Sequence, residues 1–443
     1  MTSLYHTNSM IDKLRKEFSA IFSDAAKPTA KHLFEMAVSV FGLNGFQSVK
    51  YNFEHFIDEI SEYELKSFYY TLNKSKINLQ DWMKRLVEAA LSIRLFDTKQ
   101  PIILAIDDTL IEKSGEKFEH RSKLFDHAAH NGSNYLNGHC FVSLLLSIPV
   151  KDSLGCRYLS FPVAYRMWTK EQTKLEMAAD LVRSAMTCLG TQRRVCCDSW
   201  YPKGCVKQLV EEYANLTILC NVRSDTALYA LPPKPTGKRG RPRSRGERLS
   251  FESFEQTEVP GSGFCVGVRP VKTNLFGSRT VYAILTKAKD GKGYRLFLCT
   301  ENPQNLSFDI AFSDERAARF AKADSNFTPL TIYALRWNIE IAYYEQKTFW
   351  ALGDYRLRSQ TGMERLLNLL TLCYASTKIL PFLSDDFYFL KGLSPQQARF
   401  ALSKAINREL FFASFIARLE TAKISPTLIS TLKSLFFSLS PAA

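Results

Sequence analysis

Ile102–Gly115 reads IILAIDDTLIEKSG: it opens on five apolar residues, continues with two acids and a threonine, and closes on a glycine. A short apolar run bounded by turn residues is the pattern of a buried strand. GHCFVSLLLSIPV (Gly138–Val150) and CRYLSFPVAYR (Cys156–Arg166) repeat it across Gly, Asn, Asp and Ser. Three adjacent strands are therefore expected between about 101 and 165, the first carrying Asp107. Thr169–Cys188 then reads as a helix, RRVCCD (Arg193–Asp198) as a buried strand, Pro202–Tyr213 as a second helix, and LTILCNV (Leu216–Val222) as another buried strand. Strands followed by helix, strand, helix, strand imply a mixed sheet with helices packed on it, because a parallel crossover needs an intervening element. The fold class is α/β.

Outside this core the patterning changes. Residues 1–98 show helical periodicity, as in AKHLFEMAVSVFG (Ala30–Gly42) and in INLQDWMKRLVEAALSIRLF (Ile77–Phe96) with Asp81 in its first turn. From 224 to 328 the sequence is turn-rich, with strand candidates at FCVGVRP, TVYAILTK and YRLFLCT. The C-terminal part is helical, with breaks expected at Pro381, Ser394–Pro395 and Ser425–Pro426. The expected organisation is a helical N-terminal domain (1–98) and a first part of the core (99–223). An inserted β-rich subdomain (224–328), the last part of the core (329–380) and a helical C-terminal region (381–443) follow.

The chain carries 58 Lys and Arg against 44 Asp and Glu, a net charge of +14 over 443 residues. That balance favours a polyanionic partner, with nucleic acid expected ahead of an anionic membrane surface. No signal peptide or membrane span is expected: the N-terminus lacks an apolar core, and the most apolar stretches are too short or carry Asn368 and Lys378. Ten cysteines without C-x-x-C spacing read as reduced core residues of a cytosolic protein. There is no phosphate-binding G-x-x-x-x-G-K-[ST] and no nucleophile elbow G-x-S-x-G.

The chemistry concentrates in TIYALRWNIEIAYYEQKTFW (Thr331–Trp350). At about 100° per residue, Tyr333, Arg336, Glu340 and Lys347 fall within roughly 60° of one helical face. Leu335, Ile339, Ala342 and Phe349 take the far side. Such a stripe suits a metal and a phosphate; the plain alternative is a solvated face with an Arg336–Glu340 pair one turn apart. Trp337 adjoins the stripe, with core packing the expected role and base stacking the alternative.

A second basic feature is KPTGKRGRPRSRGER (Lys234–Arg248), with seven cationic residues against one Glu. Its Arg239-Gly240-Arg241-Pro242 is similar to the short hook that lays Arg into a narrow minor groove. Arg239, Arg241 and Arg243 are read as DNA contacts, mainly to phosphates. His127, His130 and His139 lack the spacing of a helical zinc site and read as turn and strand residues.

The spacing Tyr333-x2-Arg336-x3-Glu340-x6-Lys347 resembles the signature of the IS4-type DDE transposases, which carry the last catalytic acid in such a helix. IILAIDDTLIEKSG is similar to that family's first catalytic strand, an apolar run ending in Asp, any residue, Thr or Ser. The stretch Arg193–Gly204 is similar to its second, ending in Asp198. The resemblance implies a ribonuclease H-like mixed sheet flanked by helices, with an inserted β-rich subdomain. It also implies two Mg²⁺ ions, replaceable by Mn²⁺, held by Asp107, Asp198 and Glu340. Consecutive strand residues face opposite sides, so only one of Asp107 and Asp108 serves; the family pattern selects Asp107 with Thr109, and Asp108 is the fallback. Asp198 has the alternative role of a helix N-cap. The resemblance assigns Tyr333, Arg336 and Lys347 to a DNA phosphate. The implied partners are the terminal inverted repeats of a mobile element, target DNA and a second copy of the chain. No membrane partner is expected, and the location is cytoplasmic and nucleoid-associated. The rival readings are a non-catalytic DNA-binding derivative and a structure-specific nuclease on the same core.

Overall fold

The computed structural model describes residues 9–43, 48–126, 134–152, 155–189, 193–197, 204–234, 242–259, 263–288, 293–306, 328–422 and 425–438. Two compact units divide the chain, a sheet unit (Arg94–Ser114 with Arg121–Tyr343) and a helical unit (Met1–Ile93, Gly115–His120 and Tyr344–Ala443).

The sheet unit is built on β1 (Ile102–Glu112), where Ile102 to Ile106 are all buried. It pairs antiparallel with β3 (Tyr135–Asp152) and parallel with β5 (Arg193–Cys197), which pairs parallel with β6 (Leu216–Val222). β2 (Ser122–Phe125) and β4 (Gly155–Met167) pair with β3. A strand covered on both faces reads as a continuous apolar run, which is why IILAI and CFVSLLLSIPV show little alternation.

The two parallel pairings require crossovers, and helices Lys174–Met186 and Gly204–Glu212 supply them. They are joined by Arg183, whose guanidinium donates to both carboxylate oxygens of Glu212 at 2.8 and 2.7 Å. The first of these helices begins at Lys174, later than the expected Thr169. Thr173 and Glu176 form a reciprocal capping box there, satisfying two end donors together, while Lys170 takes a left-handed φ of 74° that no helix continues through.

The region expected as an inserted β-rich subdomain is β-rich, but it continues the same sheet. It comprises β7 (Leu228–Tyr229), β8 (Thr257–Val259), β9 (Phe264–Thr273), β10 (Val281–Ala288) and β11 (Tyr294–Cys299). The strand order is β2-β3-β1-β5-β6-β11-β10-β9-β7, with β4 on β3 and β8 on β9. β11 lies antiparallel on β6, covering an edge that would otherwise present unpaired backbone groups.

In the β1–β3 pair, Gly138 lies opposite Glu112. A Cβ there would lie 2.0 Å from the carbonyl oxygen of Ile111, and a backbone atom between two paired strands cannot give way. Gly138→Ala is expected to cost about 2–3 kcal/mol, read as a lower urea midpoint at unchanged slope; an unaltered midpoint would show that the strand pair relaxes freely.

In the helical unit, Met10–Ile21, Lys27–Gly42, Leu65–Asn73 and Leu79–Leu91 share a core with the later helices Gln360–Leu383 and Pro395–Thr421. The N- and C-terminal regions, read from sequence as separate, thus belong to one unit. Long-range polar contacts hold them: Glu409 accepts from Ser9 and from the Met10 amide, and Ser403 and Asn407 donate to the Gly42 carbonyl. Gln360–Leu383 is long and apolar enough to cross a bilayer by length and composition, and 83 % of its most apolar window is buried here. It runs two residues past Pro381, where a break was expected; burial of its apolar length outweighs one missing donor in the last turn.

Candidate active site

Asp107 and Asp108 leave β1 on opposite faces, as strand alternation requires. On the Asp107 face lies the segment that begins at Thr328, of which residues 331–350 were expected as one helix. It is two helices, Thr328–Ala334 and Asn338–Phe349, joined by a 3₁₀ turn over Leu335–Trp337. The tighter turn changes the helical phase, and the buried face departs from the wheel in part. Ile339 and Ala342 are buried as expected, together with Ile332, Arg336 and Tyr343, whereas Phe349, expected in the apolar back, is exposed. Trp337, expected in the core, is 62 % exposed.

Arg336 is therefore turned inward, its side chain 9 % exposed. Its Nη1 donates to Asp107 Oδ2 at 3.2 Å and lies 3.6 Å from Glu340 Oε1. An acid from a central strand and an acid from a distant helix thus meet at one nitrogen. Burial, followed by the nearby Glu340 charge, pushes the Asp107 carboxyl up to about 8, against the opposing pull of Arg336 and of the Asp108 amide, which donates to Asp107 Oδ1 at 2.8 Å. One guanidinium is insufficient counter-charge for this pair, and the donors are hard carboxylate oxygens of the kind that Mg²⁺ and Mn²⁺ take. The residues present fit a divalent cation.

β1 and β5 are paired through Ile106 and Cys197, the residues that immediately precede Asp107 and Asp198. Asp198 itself lies outside the described residues. Among the described residues no three His, Cys, Asp or Glu side chains are grouped as a metal site.

Residues 60–262 match the family model described as DDE superfamily endonuclease. The match supports a DDE transposase-like nuclease, with DNA as the substrate of such a domain. It spans β1 to β8 and contains Asp107, Asp108 and Asp198, and it ends before Glu340. No curated protein matches the chain.

On the other face of β1, Asp108 accepts from Lys174 Nζ at 2.7 Å and from Cys140 Sγ at 3.2 Å. Lys174 also lies 5.1 Å from the centroid of the Trp168 ring. The fallback acid is thus engaged by an ion pair away from Glu340. Sequence reading did not single out Lys174; the signal was a lysine following the Thr173 cap of the helix that packs on β1. Thr109 is buried beneath the site.

Tyr333 is half-buried, its ring edge-on to Phe297 at 5.0 Å and under the Arg336 guanidinium at 5.7 Å. Lys347 is exposed in the last turn of its helix and belongs to the helical unit. Of the basic stretch, Arg239 and Arg241 lie outside the described residues. Arg243 is exposed, and Arg245 is tied down, stacked 3.9 Å over Tyr229 and donating to Asn274 at 2.8 Å. His139 is buried in β3; His127 and His130 lie outside the described residues.

Proposed function

We propose that this chain is a cut-and-paste transposase of the IS4 type, with Asp107, Asp198 and Glu340 as its catalytic acids. The observation that carries the reading is the meeting of Asp107 and Glu340 at Arg336 Nη1. The pairing of Ile106 with Cys197 supports the third acid, because neighbouring positions of parallel strands share a face. The order β4-β3-β1-β5-β6, with β1 antiparallel to β3 and parallel to β5, supports a ribonuclease H-like core.

In this reading the three carboxylates hold two Mg²⁺ ions, or Mn²⁺, which when bound activate the attacking oxygen and stabilise the leaving one. Arg336 offsets the charge of the acids from within the protein. Tyr333 and Lys347 supply a phenol and an ammonium for a phosphate of the cleaved end, and Arg239, Arg241 and Arg243 add cations along the backbone. Water attacks the phosphodiester at the element end and releases a 3′-hydroxyl. That hydroxyl attacks the opposite strand to give a hairpin and release the flanking DNA, a second water hydrolyses the hairpin and regenerates the 3′-hydroxyl, and this hydroxyl joins target DNA. Two ends must be held together for this, so the working form on DNA is a homodimer.

The test is cleavage, in Mg²⁺, of linear DNA carrying the inverted repeats that bracket the coding region, by wild type, Asp198→Ala and Glu340→Gln. Nicking at the repeat ends, lowered on the order of 10³-fold in both variants, is expected. Equal cleavage by all three removes the mechanism, and cleavage of branched DNA without regard to the repeats favours the structure-specific nuclease.

A further inference from the structure

β3 carries two serines, Ser143 and Ser147, within an otherwise apolar run, and both are fully buried. They lie four residues apart and so on one face of the strand. That face is the one bearing Asp107, because Ser143 is the cross-strand partner of Asp107 and Ser147 that of Ile103. A buried hydroxyl without a partner costs free energy that an alanine or valine would not, so the partners are informative. Ser143 Oγ is hydrogen-bonded to Tyr343 Oη at 2.5 Å. Ser147 Oγ is bonded to Ser160 Oγ at 2.7 Å, and Asn338 Nδ2 donates to Ser160 Oγ at 2.9 Å. Both chains run from the strands to the helix that carries Glu340, and Asn338 and Tyr343 bracket Glu340 along it.

Apolar packing alone leaves that helix under-determined. Ile339 and Ala342 are buried, yet hydrophobic burial is non-directional, and a helix resting on it slides and rolls at little cost. Holding a metal-binding carboxylate to within about 0.5 Å needs directional support. Two hydrogen-bonded pegs, one on each side of Glu340, supply it. Phenylalanine at 343 with alanine at 143 would preserve the packing and lose only the direction.

We propose that Tyr343 and Asn338, through Ser143 and the Ser160–Ser147 pair, are the positioning residues that hold Glu340 in register with Asp107. The inference rests on the reading of Asp107 and Glu340 as metal-binding acids, and it adds what fixes their separation.

The experiment combines Mn²⁺ binding, followed by the electron-spin-resonance signal of the free ion, with amide hydrogen exchange over 338–343, for wild type, Tyr343→Phe, Ser143→Ala and the double variant. Each single variant is expected to bind Mn²⁺ about tenfold more weakly and to exchange faster over 338–343 at nearly unchanged Tm. The double variant should be no worse than either, because one bond is lost in all three. Asn338→Asp, which keeps an oxygen but loses the amide donor, should resemble Asn338→Ala. Wild-type Mn²⁺ affinity in Tyr343→Phe overturns the proposal, as do additive losses in the double variant. If wild type binds no Mn²⁺, the reading of the acids fails; the pegs then stand or fall on exchange alone, and unchanged exchange in Tyr343→Phe removes them.

Discussion

Asp107→Asn is expected to abolish metal-dependent cleavage and, in the absence of divalent cations, to make the protein more stable. The first effect follows from removing a ligand oxygen and is expected on the order of 10³-fold. The second follows from the placement of the carboxylate. It is largely buried, close to Glu340, and raised to about 8 from an ordinary 3.8. A carboxyl raised in the folded state contributes stability that is complete below the unfolded value and lost as pH rises through the folded one. Wild type should therefore weaken between about pH 4 and pH 8 in a way that the asparagine variant does not. Near pH 8 the variant should be more stable by roughly 1–3 kcal/mol, part of the gain being offset because Arg336 loses an anionic partner. Urea midpoints at pH 5 and pH 8 measure this. Added Mn²⁺ should raise the wild-type midpoint and leave that of the variant almost unchanged, since a ligand stabilises only the state that binds it. A variant less stable than wild type at pH 8 would mean that the carboxylate is well compensated and that the site has no demand for a cation.

Arg336→Met is expected to act in the opposite direction. The guanidinium is nearly buried and reaches both acids, and removing one partner of a buried pair typically costs about 3–5 kcal/mol. The loss should grow with pH, because without Arg336 the Asp107 carboxyl is raised further and its charged form becomes harder to bury. Below about pH 4, where that carboxyl is protonated in folded and unfolded chains alike, the variant should approach wild type. Arg336→Lys should recover only part of the loss, since an ammonium lacks the planar fork that faces two carboxylates. Denaturant titrations at two pH values decide the matter: a pH-independent deficit would assign Arg336 to packing. Combining Asp107→Asn with Arg336→Met should cost less than Arg336→Met alone, the mark of a coupled pair.

Both expectations rest on one arrangement: the buried Asp107 carboxyl is a liability for folding, and Arg336 is the group that makes it tolerable. Function-bearing groups in strained electrostatic surroundings are the expected exception to a sequence otherwise consistent with its fold.

Much of the architecture was legible from local pattern alone. The apolar runs of β1, β3 and β6 announced buried strands, that of β5 announced a strand, and the two intervening helical stretches announced parallel crossovers, because those requirements are written residue by residue. The three strand candidates of the 224–328 region were legible for the same reason. The residues of the site were legible as types, namely the paired acids that follow the apolar run of β1 and the Arg-x3-Glu spacing of the later segment; the strand itself continues past them to Glu112.

What pattern could not supply was direction. The helical wheel put Arg336 with an exposed stripe and Phe349 with the core, whereas the 3₁₀ turn at Leu335–Trp337 turns Arg336 inward and leaves Phe349 and Trp337 exposed. A break in helical phase is set by what the segment packs against, and no local periodicity encodes it. Whether Asp107 or Asp108 faces Glu340 depended on which side of β1 each helix lies, and the structure turns Asp108 to Lys174. Likewise, β11 on the edge of β6 and the joining of the first and last helices in one unit are contacts between residues far apart in the chain. The sequence by itself determined the elements and the chemical groups they carry, because hydrophobic period and capping act within a few residues. The tertiary structure alone decided which groups meet, because the balance of burial, charge and hydrogen bonding at Asp107, Arg336 and Glu340 exists only once strand and helix are packed together.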